Sequence, residues 1–157
     1  MKTKILFLLC VFFISTSLKA QNDPVKDITK MMGSKSGMGS LMGTLVNGIK
    51  PNAFTSGKSA KKDLISQLAG TKTTDYLQYA SLAGQLAGAL KGSSFLPDWA
   101  NKKDGVMDQL QKAGSIADVA GGVGSLAGML NPSSLTGGFK KNQSTWTTAL
   151  NALSLLK

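Results

Sequence analysis

The sequence lacks histidine, arginine and glutamate, and its 157 residues include a single cysteine, Cys10. Without histidine, and with no cysteine outside the N-terminal apolar run, the common zinc and copper sites and the nucleophiles that rely on a neighbouring imidazole are excluded from the rest of the chain. Cys10 lies inside an N-terminal apolar run, so a chain that loses this run by cleavage keeps no thiol and no disulfide. The stability of such a chain must come from a packed core.

The charge of the chain is carried by only two residue types. All 18 basic residues are lysines and all 8 acidic residues are aspartates, which gives a net charge of +10. This excess suits an anionic partner such as a lipid headgroup or a surface polysaccharide, although it also simply keeps a small protein soluble. Arginine is the usual reader of nucleic-acid bases, and its absence argues against a nucleic-acid partner.

The first 20 residues have the pattern of a secretory signal peptide. Lys2 and Lys4 precede the apolar run 5–14, and a short polar segment leads to Ala20. Ten apolar residues are too few to span a bilayer core of roughly 30 Å as a helix. Leu9 stands before Cys10 where a lipoprotein signal would need a small residue. We therefore expect cleavage after Ala20, as in bacterial export signals, which predicts a periplasmic or secreted protein without stable membrane insertion.

Three segments of the remaining chain resemble one another. GTLVNGIKPNAFT from position 43, GQLAGALKGSSFL from position 84 and GSLAGMLNPSSLT from position 124 align without gaps, at offsets of 41 and 40 residues. Phe54, Phe95 and Leu135 share one column, and we expect them to be equivalent buried anchors. The pattern predicts tandem repeat units of about 40 residues. We place them at about 34–74, 75–115 and 116–157, after a short N-terminal segment, 21–33, with a short helix.

Each unit has the pattern of two helices. Apolar residues recur at steps of three and four in the first helices of the second and third units, with Thr74 as a candidate cap in the second unit and Ser115 with Asp118 as a capping-box-like pair in the third. Proline or glycine follows each first helix and should end it. The prediction is an all-α domain of three helix-pair (αα-hairpin) repeats. Glycines four residues apart in the first helices favour close approach of neighbouring helices.

The stretch NAFTSGKS, residues 52–59, is similar to a phosphate-binding loop except that Asn52 replaces the first glycine. Its GKS triplet aligns with DWA at 98–100 and GFK at 138–140 in the other units. The loop position therefore recurs while the residues that would bind phosphate do not. We interpret it as a connection within the repeat and expect no nucleotide cofactor.

Two further patterns have plain structural explanations. Ser59 and Lys62 match the spacing of serine acyl enzymes, but the partner motifs are missing, so a solvated helix edge is expected. Asp104 and Asp108 would share a helix face and could form a carboxylate pair, but a capping Asp104 and an exposed Asp108 are the plainer interpretation. The two tryptophans, Trp99 and Trp146, are expected in the core or in an interface.

Lysine pairs occur at or near the start of each second helix and are the candidate contacts for a polyanion: Lys61, Lys62, Lys102, Lys103, Lys140 and Lys141. Together these features predict an exported, non-enzymatic interaction or structural protein. Its partner would be another protein, a second copy of the chain or an anionic envelope component, with no metal or other cofactor. The alternative is a cationic protein that acts on membranes or surface polymers through its lysines and glycine-rich helices.

Overall fold

The computed structural model describes residues 37–72 and 75–154, without the side chains of 152–154. These residues form six α-helices and three 3-10 helices and contain no strand. The α-helices are α1 (Gly37–Gly48), α2 (Gly57–Gly70), α3 (Tyr76–Ala89), α4 (Trp99–Gln111), α5 (Ile116–Met129) and α6 (Gly137–Ser154). The 3-10 helices are Pro51–Ala53, Gly92–Ser94 and Pro132–Ser134. The predicted all-α class is confirmed. The predicted signal peptide, the segment 21–33 and Thr74 lie outside the described residues.

The starts of α3 and α5 are fixed by side-chain caps. At α5 the Ser115 hydroxyl accepts from the Asp118 amide at 3.2 Å and donates to the Asp118 carboxylate at 2.9 Å, so the predicted capping-box-like pair is confirmed. At α3 the cap is Asp75, whose carboxylate accepts from the Gln78 amide at 3.1 Å. Both caps satisfy amides that have no partner within their helices.

Helices α1, α3 and α5 each end just before the residues predicted to stop them. Pro51 and Pro132 have no backbone N–H to continue a helix and instead begin 3-10 helices, as their fixed φ allows. Gly92 takes the same place after α3. Since each 3-10 helix spans only three residues, the chain turns back sharply and starts the next α-helix within a few residues.

The six helices pack as an inner and an outer set. Inner helices α1, α3 and α5 contact one another. Outer helix α2 packs on α1 and α3, α4 packs on α3 and α5, and α6 packs on α5 and returns to α1. Each inner helix therefore packs against two outer helices as well as against the other inner helices. This burial explains why the inner helices are rich in apolar residues and glycine. Leu45, Leu86 and Leu126, one from each inner helix, are all at most 1% exposed.

The segments that connect inner to outer helices meet in three antiparallel β-bridges. The bridged pairs are Phe54 with Leu90, Phe95 with Leu130, and Leu135 with Ile49. Each bridge has two backbone hydrogen bonds. In the first, the Thr55 amide donates to the Ala89 carbonyl at 2.8 Å and the Lys91 amide to the Ala53 carbonyl at 2.9 Å.

The last bridge closes the set, because it joins the final connecting segment to the first one. The Lys50 amide donates to the Ser134 carbonyl at 2.9 Å, and the Thr136 amide donates to the Gly48 carbonyl at 2.7 Å. The buried Ser94 hydroxyl adds a bond to the Ala53 carbonyl at 2.8 Å. The connecting segments thus form a closed triangle at one end of the molecule, in which the residues that flank each bridged residue supply the amides and carbonyls of the bridge hydrogen bonds.

The three residues named as anchors lie in this triangle and are buried. Phe54 is fully buried, and Phe95 and Leu135 are 5% and 1% exposed. Phe95 also stacks on Trp99, with ring centroids 4.1 Å apart. Trp146 is buried beside Phe139, at a centroid distance of 6.0 Å. Both tryptophans therefore contribute apolar surface to the packing between helices.

The paired glycines of the inner helices differ in what they contact. A Cβ on Gly124 would meet Asn151 and the Cβ of Leu150 at 3.1 Å, so α6 packs closely there. A Cβ on Gly88 would meet nothing within 4 Å. Close packing through glycine is thus found at the α5–α6 contact, where the neighbouring atoms belong to side chains, and not along the whole of α3.

Candidate functional surfaces

Four amides of the loop that is similar to a phosphate-binding loop bond within the protein. The amides of Ala53, Phe54 and Gly57 donate to the carbonyls of Lys50, Pro51 and Phe54 at 3.0, 3.2 and 3.1 Å, and that of Thr55 donates across the first bridge. A phosphate cradle needs such amides to point at the ligand. Within this loop Gly57 alone has a positive φ, 58°, which turns the chain into α2. Lys58 and Ser59 are exposed, and the Ser59 hydroxyl donates to the Ser56 carbonyl at 2.9 Å.

Lys61, one of the candidate polyanion contacts, is occupied within the protein. Its ammonium donates to the carbonyls of Asn47 and Ile49 at 2.8 and 2.6 Å, at the end of α1. A cation is favourable there because the last carbonyls of a helix have no intrahelical partner and carry partial negative charge. Burial lowers the pKa of Lys61 from its usual value, because desolvation disfavours the charged form.

Gln143 has the same function at the end of α5. Its side-chain amide donates to the carbonyls of Ala127 and Leu130 at 3.0 and 2.8 Å. A side chain from an outer helix thus caps the preceding inner helix in two places. Gln143 was not named from the sequence, because a single glutamine in a helix gives no sign of which carbonyl it will reach.

The other five candidate lysines are exposed. Lys102 pairs with Asp98 one turn earlier in the chain at 3.2 Å, and both side chains are more than half exposed, so the pair is a weak, solvent-screened contact. Lys62, Lys103, Lys140 and Lys141 project from the first two turns of α2, α4 and α6. Their assignment as polyanion contacts stays a prediction.

The proposed capping function of Asp104 is wrong. Helix α4 begins at Trp99 and its N-cap is Asp98, so Asp104 lies inside the helix on its exposed side. The sequence prediction failed because it began the helix near the lysine pair rather than at the apolar Trp99. Asp108 is exposed as expected, and its carboxylate accepts from Lys112 at 2.8 Å. Among the described residues no group of three or more potential acidic ligands is placed to hold a metal ion.

Tyr79 is the buried titratable group of the core. It lies in α3, is 1% exposed and faces the backbone of α1 at Gly39, where an added Cβ would be 2.9 Å from its hydroxyl oxygen. Burial, with a smaller contribution from Asp75, raises the pKa of Tyr79 above its usual value. It therefore remains a neutral phenol at physiological pH and fills space between α1 and α3.

An open cleft of about 650 Å³ lies between α1 and α6, where the set of helices closes. Its lining includes uncharged polar side chains, among them Ser40, Thr44 and Asn142, together with the edges of Phe139 and Trp146. Two of these polar groups already bond to their own helices: Thr44 donates to the Ser40 carbonyl and Asn142 to the Gly138 carbonyl. None of the described residues that line the cleft is charged.

No family model, curated protein or solved structure matches the chain. Within residues 37–72 and 75–154, no helix has both the length and the apolar character needed to cross a membrane.

Proposed function

We propose that the chain is an exported, non-enzymatic interaction or structural protein, built of three tandem helix-pair repeats that close into a ring. The observation that carries this proposal is the closed set of bridges. The first bridged residue of each unit is Ile49, Leu90 or Leu130, and the second follows five residues later. Each second residue pairs with the first residue of the next unit, and the third unit pairs with the first.

The cycle of bridges supports the repeat because it places matched sequence positions in matched contacts. An array of repeats that stays open exposes a terminal unit on each side and needs capping units. Here the return of α6 to α1 covers both terminal units at once. The connecting loops, which in many enzymes carry the reacting groups, are used for closure instead. The outer faces of α2, α4 and α6 remain for contact with a partner.

Binding to the cell envelope tests this function. Purified residues 21–157 are mixed with washed envelope fragments from a Gram-negative bacterium, sedimented and quantified in pellet and supernatant. We expect saturable sedimentation that is reduced in the Phe54→Ala variant, because loosening the triangle disturbs the surface that the ring presents. A protein that stays in the supernatant at all concentrations would contradict the proposal.

Export has its own test. The full chain is produced in a bacterium and the extracellular and periplasmic fractions are sequenced from the N-terminus. We expect the sequence to begin at Gln21. A chain that stays in the cytoplasm with Met1 retained would remove the export component of the proposal.

The alternative function is a cationic protein that perturbs membranes or surface polymers. The exposed lysines on α2, α4 and α6 favour it, since such residues attract anionic headgroups. The two functions differ in one observable: a membrane-perturbing protein releases a trapped dye from anionic vesicles, whereas an interaction protein binds without leakage.

A further inference from the structure

The fold gathers lysines that are distant in the sequence at one end of the molecule. We call this end the turn end: it comprises the triangle of bridged segments and the first two turns of α2, α4 and α6. The opposite end, where α2 and α4 finish and α3 and α5 begin, is the far end. At a rise of about 1.5 Å per residue, a helix of about 14 residues separates the two ends by roughly 20 Å.

Nine of the eleven lysines in the described part of the chain lie at the turn end. Lys61 is one of them and points inward to cap α1. The other eight are exposed: Lys50, Lys58, Lys62, Lys91, Lys102, Lys103, Lys140 and Lys141. The remaining two described lysines, Lys72 and Lys112, follow the last residues of α2 and α4 at the far end.

The aspartates balance the positive charge of the turn end only in part. Asp75, Asp108 and Asp118 lie at or toward the far end, where the first and third cap α3 and α5. Asp63 and Asp104 lie in the first halves of α2 and α4, and Asp98, the N-cap of α4, is paired with Lys102. Among the described residues the turn end therefore carries a clear positive excess, and the far end does not. The N-termini of three outer helices and the C-termini of three inner helices meet at this end, so their partial charges largely offset each other and the excess rests on the lysines.

We infer that the turn end is a docking surface for an anionic lipid bilayer. This inference rests on the proposed function and names the partner. The lysines come from all three units and surround the triangle, so their charges are spread over a face and do not follow a line. A face of this kind matches a plane of headgroups, whereas a linear polyanion is best followed by a stripe or groove of charge.

The apolar side chains explain why docking is superficial. Three large apolar side chains are clearly exposed among the described residues, and two of them, Leu77 and Ile116, lie at the far end. Only Leu96, 37% exposed, lies at the turn end. One leucine supplies little apolar area for burial in the acyl region. The contact is therefore electrostatic, reversible and sensitive to salt, since the Debye length falls from about 10 Å at 0.1 M to about 3 Å at 1 M.

The test uses residues 21–157 and vesicles of phosphatidylcholine with or without phosphatidylglycerol. Two double variants carry the same charge change at opposite ends: Lys103→Gln with Lys141→Gln at the turn end, and Lys72→Gln with Lys112→Gln at the far end. Lys61 is left unchanged because it caps α1. Lys50 is also unchanged, because its ammonium donates to the Ser133 carbonyl at 3.0 Å.

We expect the wild-type protein to sediment with anionic vesicles at about 0.1 M salt and to be released from them at about 1 M salt. It should not sediment with vesicles of phosphatidylcholine alone. The turn-end variant should bind about thirtyfold more weakly, while the far-end variant should stay within about twofold of wild type. Equal loss in the two variants would overturn the inference, because attraction would then depend on total charge alone. Thermal melts establish that both variants are folded.

Other outcomes distinguish a failure of lipid docking from a failure of the proposed interaction function. Sedimentation with envelope fragments but not with anionic vesicles would overturn lipid docking and leave the interaction function standing. Binding to soluble dextran sulfate in preference to vesicles would assign the turn end to a polymer instead. Salt-resistant vesicle binding with dye leakage would contradict both superficial docking and the non-perturbing function. Absence of binding to vesicles and to envelope fragments would contradict both proposals.

Discussion

At the scale of single residues, neighbouring side chains of the same type have different tasks. Lys61 is partly buried and bonds to two carbonyls, whereas Lys62, the next residue, is exposed. In the sequence they are adjacent and form one of the three lysine pairs. Their difference arises because successive residues of a helix point about 100° apart, so only one of them faces the end of α1.

Replacement of Lys61 by alanine tests this difference. We expect Lys61→Ala to lower the free energy of unfolding by about 1–3 kcal/mol, because two carbonyls lose a charged donor. The matched control, Lys62→Ala, should change it by less than about 0.5 kcal/mol, as is usual for a solvated surface residue. Chemical denaturation monitored by circular dichroism measures both. Equal effects would show that the cap contributes nothing to stability.

The anchors Phe54 and Phe95 give the second residue-scale prediction. Each is buried in a bridge of the triangle, so truncation to alanine should cost about 3–5 kcal/mol. That is a large part of a typical total of about 5–15 kcal/mol. The control is Leu77→Ala, a truncation of a side chain that is 60% exposed. If either phenylalanine variant melts as the wild type does, the anchor assignment fails.

At the scale of helices, packing explains why so much glycine is tolerated. An interior glycine destabilises a helix by about 1 kcal/mol relative to alanine. Gly124 permits the contact between α5 and α6, where an added methyl would meet Leu150 and Asn151. Gly88 lies in α3, four residues after Gly84, which aligns with Gly124 in the sequence. A Cβ added to Gly88 would meet no atom within 4 Å. Only the first of these glycines is required by a neighbour.

Two alanine substitutions distinguish these glycines. Gly88→Ala should raise the free energy of unfolding by up to about 1 kcal/mol, because helix propensity improves and nothing is displaced. Gly124→Ala should lower it by about 1–3 kcal/mol, because the added methyl overpacks the contact with α6. Opposite signs in thermal or urea unfolding are the expected result. Stabilisation by both would show that α6 does not pack closely on α5.

At the scale of the whole molecule, the sequence predicts the helices better than it predicts their arrangement. Local signals such as Pro51 and the Ser115–Asp118 box predict where helices end and begin, because caps and breakers act within a few residues. The prediction that Asp104 caps a helix was wrong because Asp98 and Asp104 are both aspartates near the start of the same helix, and the local sequence does not distinguish them. The closure between Ile49 and Leu135 joins residues far apart in the chain, and no local pattern encodes such a contact.

The turn end shows the same limit for a functional surface. The lysine pairs are visible in the sequence, but their placement on one end depends on the direction of each helix relative to the closed triangle. The fold also decides which lysines belong to this surface. Lys61 points inward and caps α1, whereas Lys50, Lys58 and Lys91, which were not among the candidate contacts, are exposed at the turn end. Composition reveals the charge, whereas its location follows from the three-dimensional arrangement.

Ring closure is the central claim, and amide hydrogen exchange followed by NMR tests it most directly. The two closing amides, of Lys50 and Thr136, make the same kind of bond as the four amides of the other two bridges. Those four amides belong to Thr55, Lys91, Leu96 and Asn131. A closed ring predicts that all six are protected to a similar degree, since all open only when the triangle opens. Fast exchange at Lys50 and Thr136 beside protection of the other four would show an open array and contradict the claim.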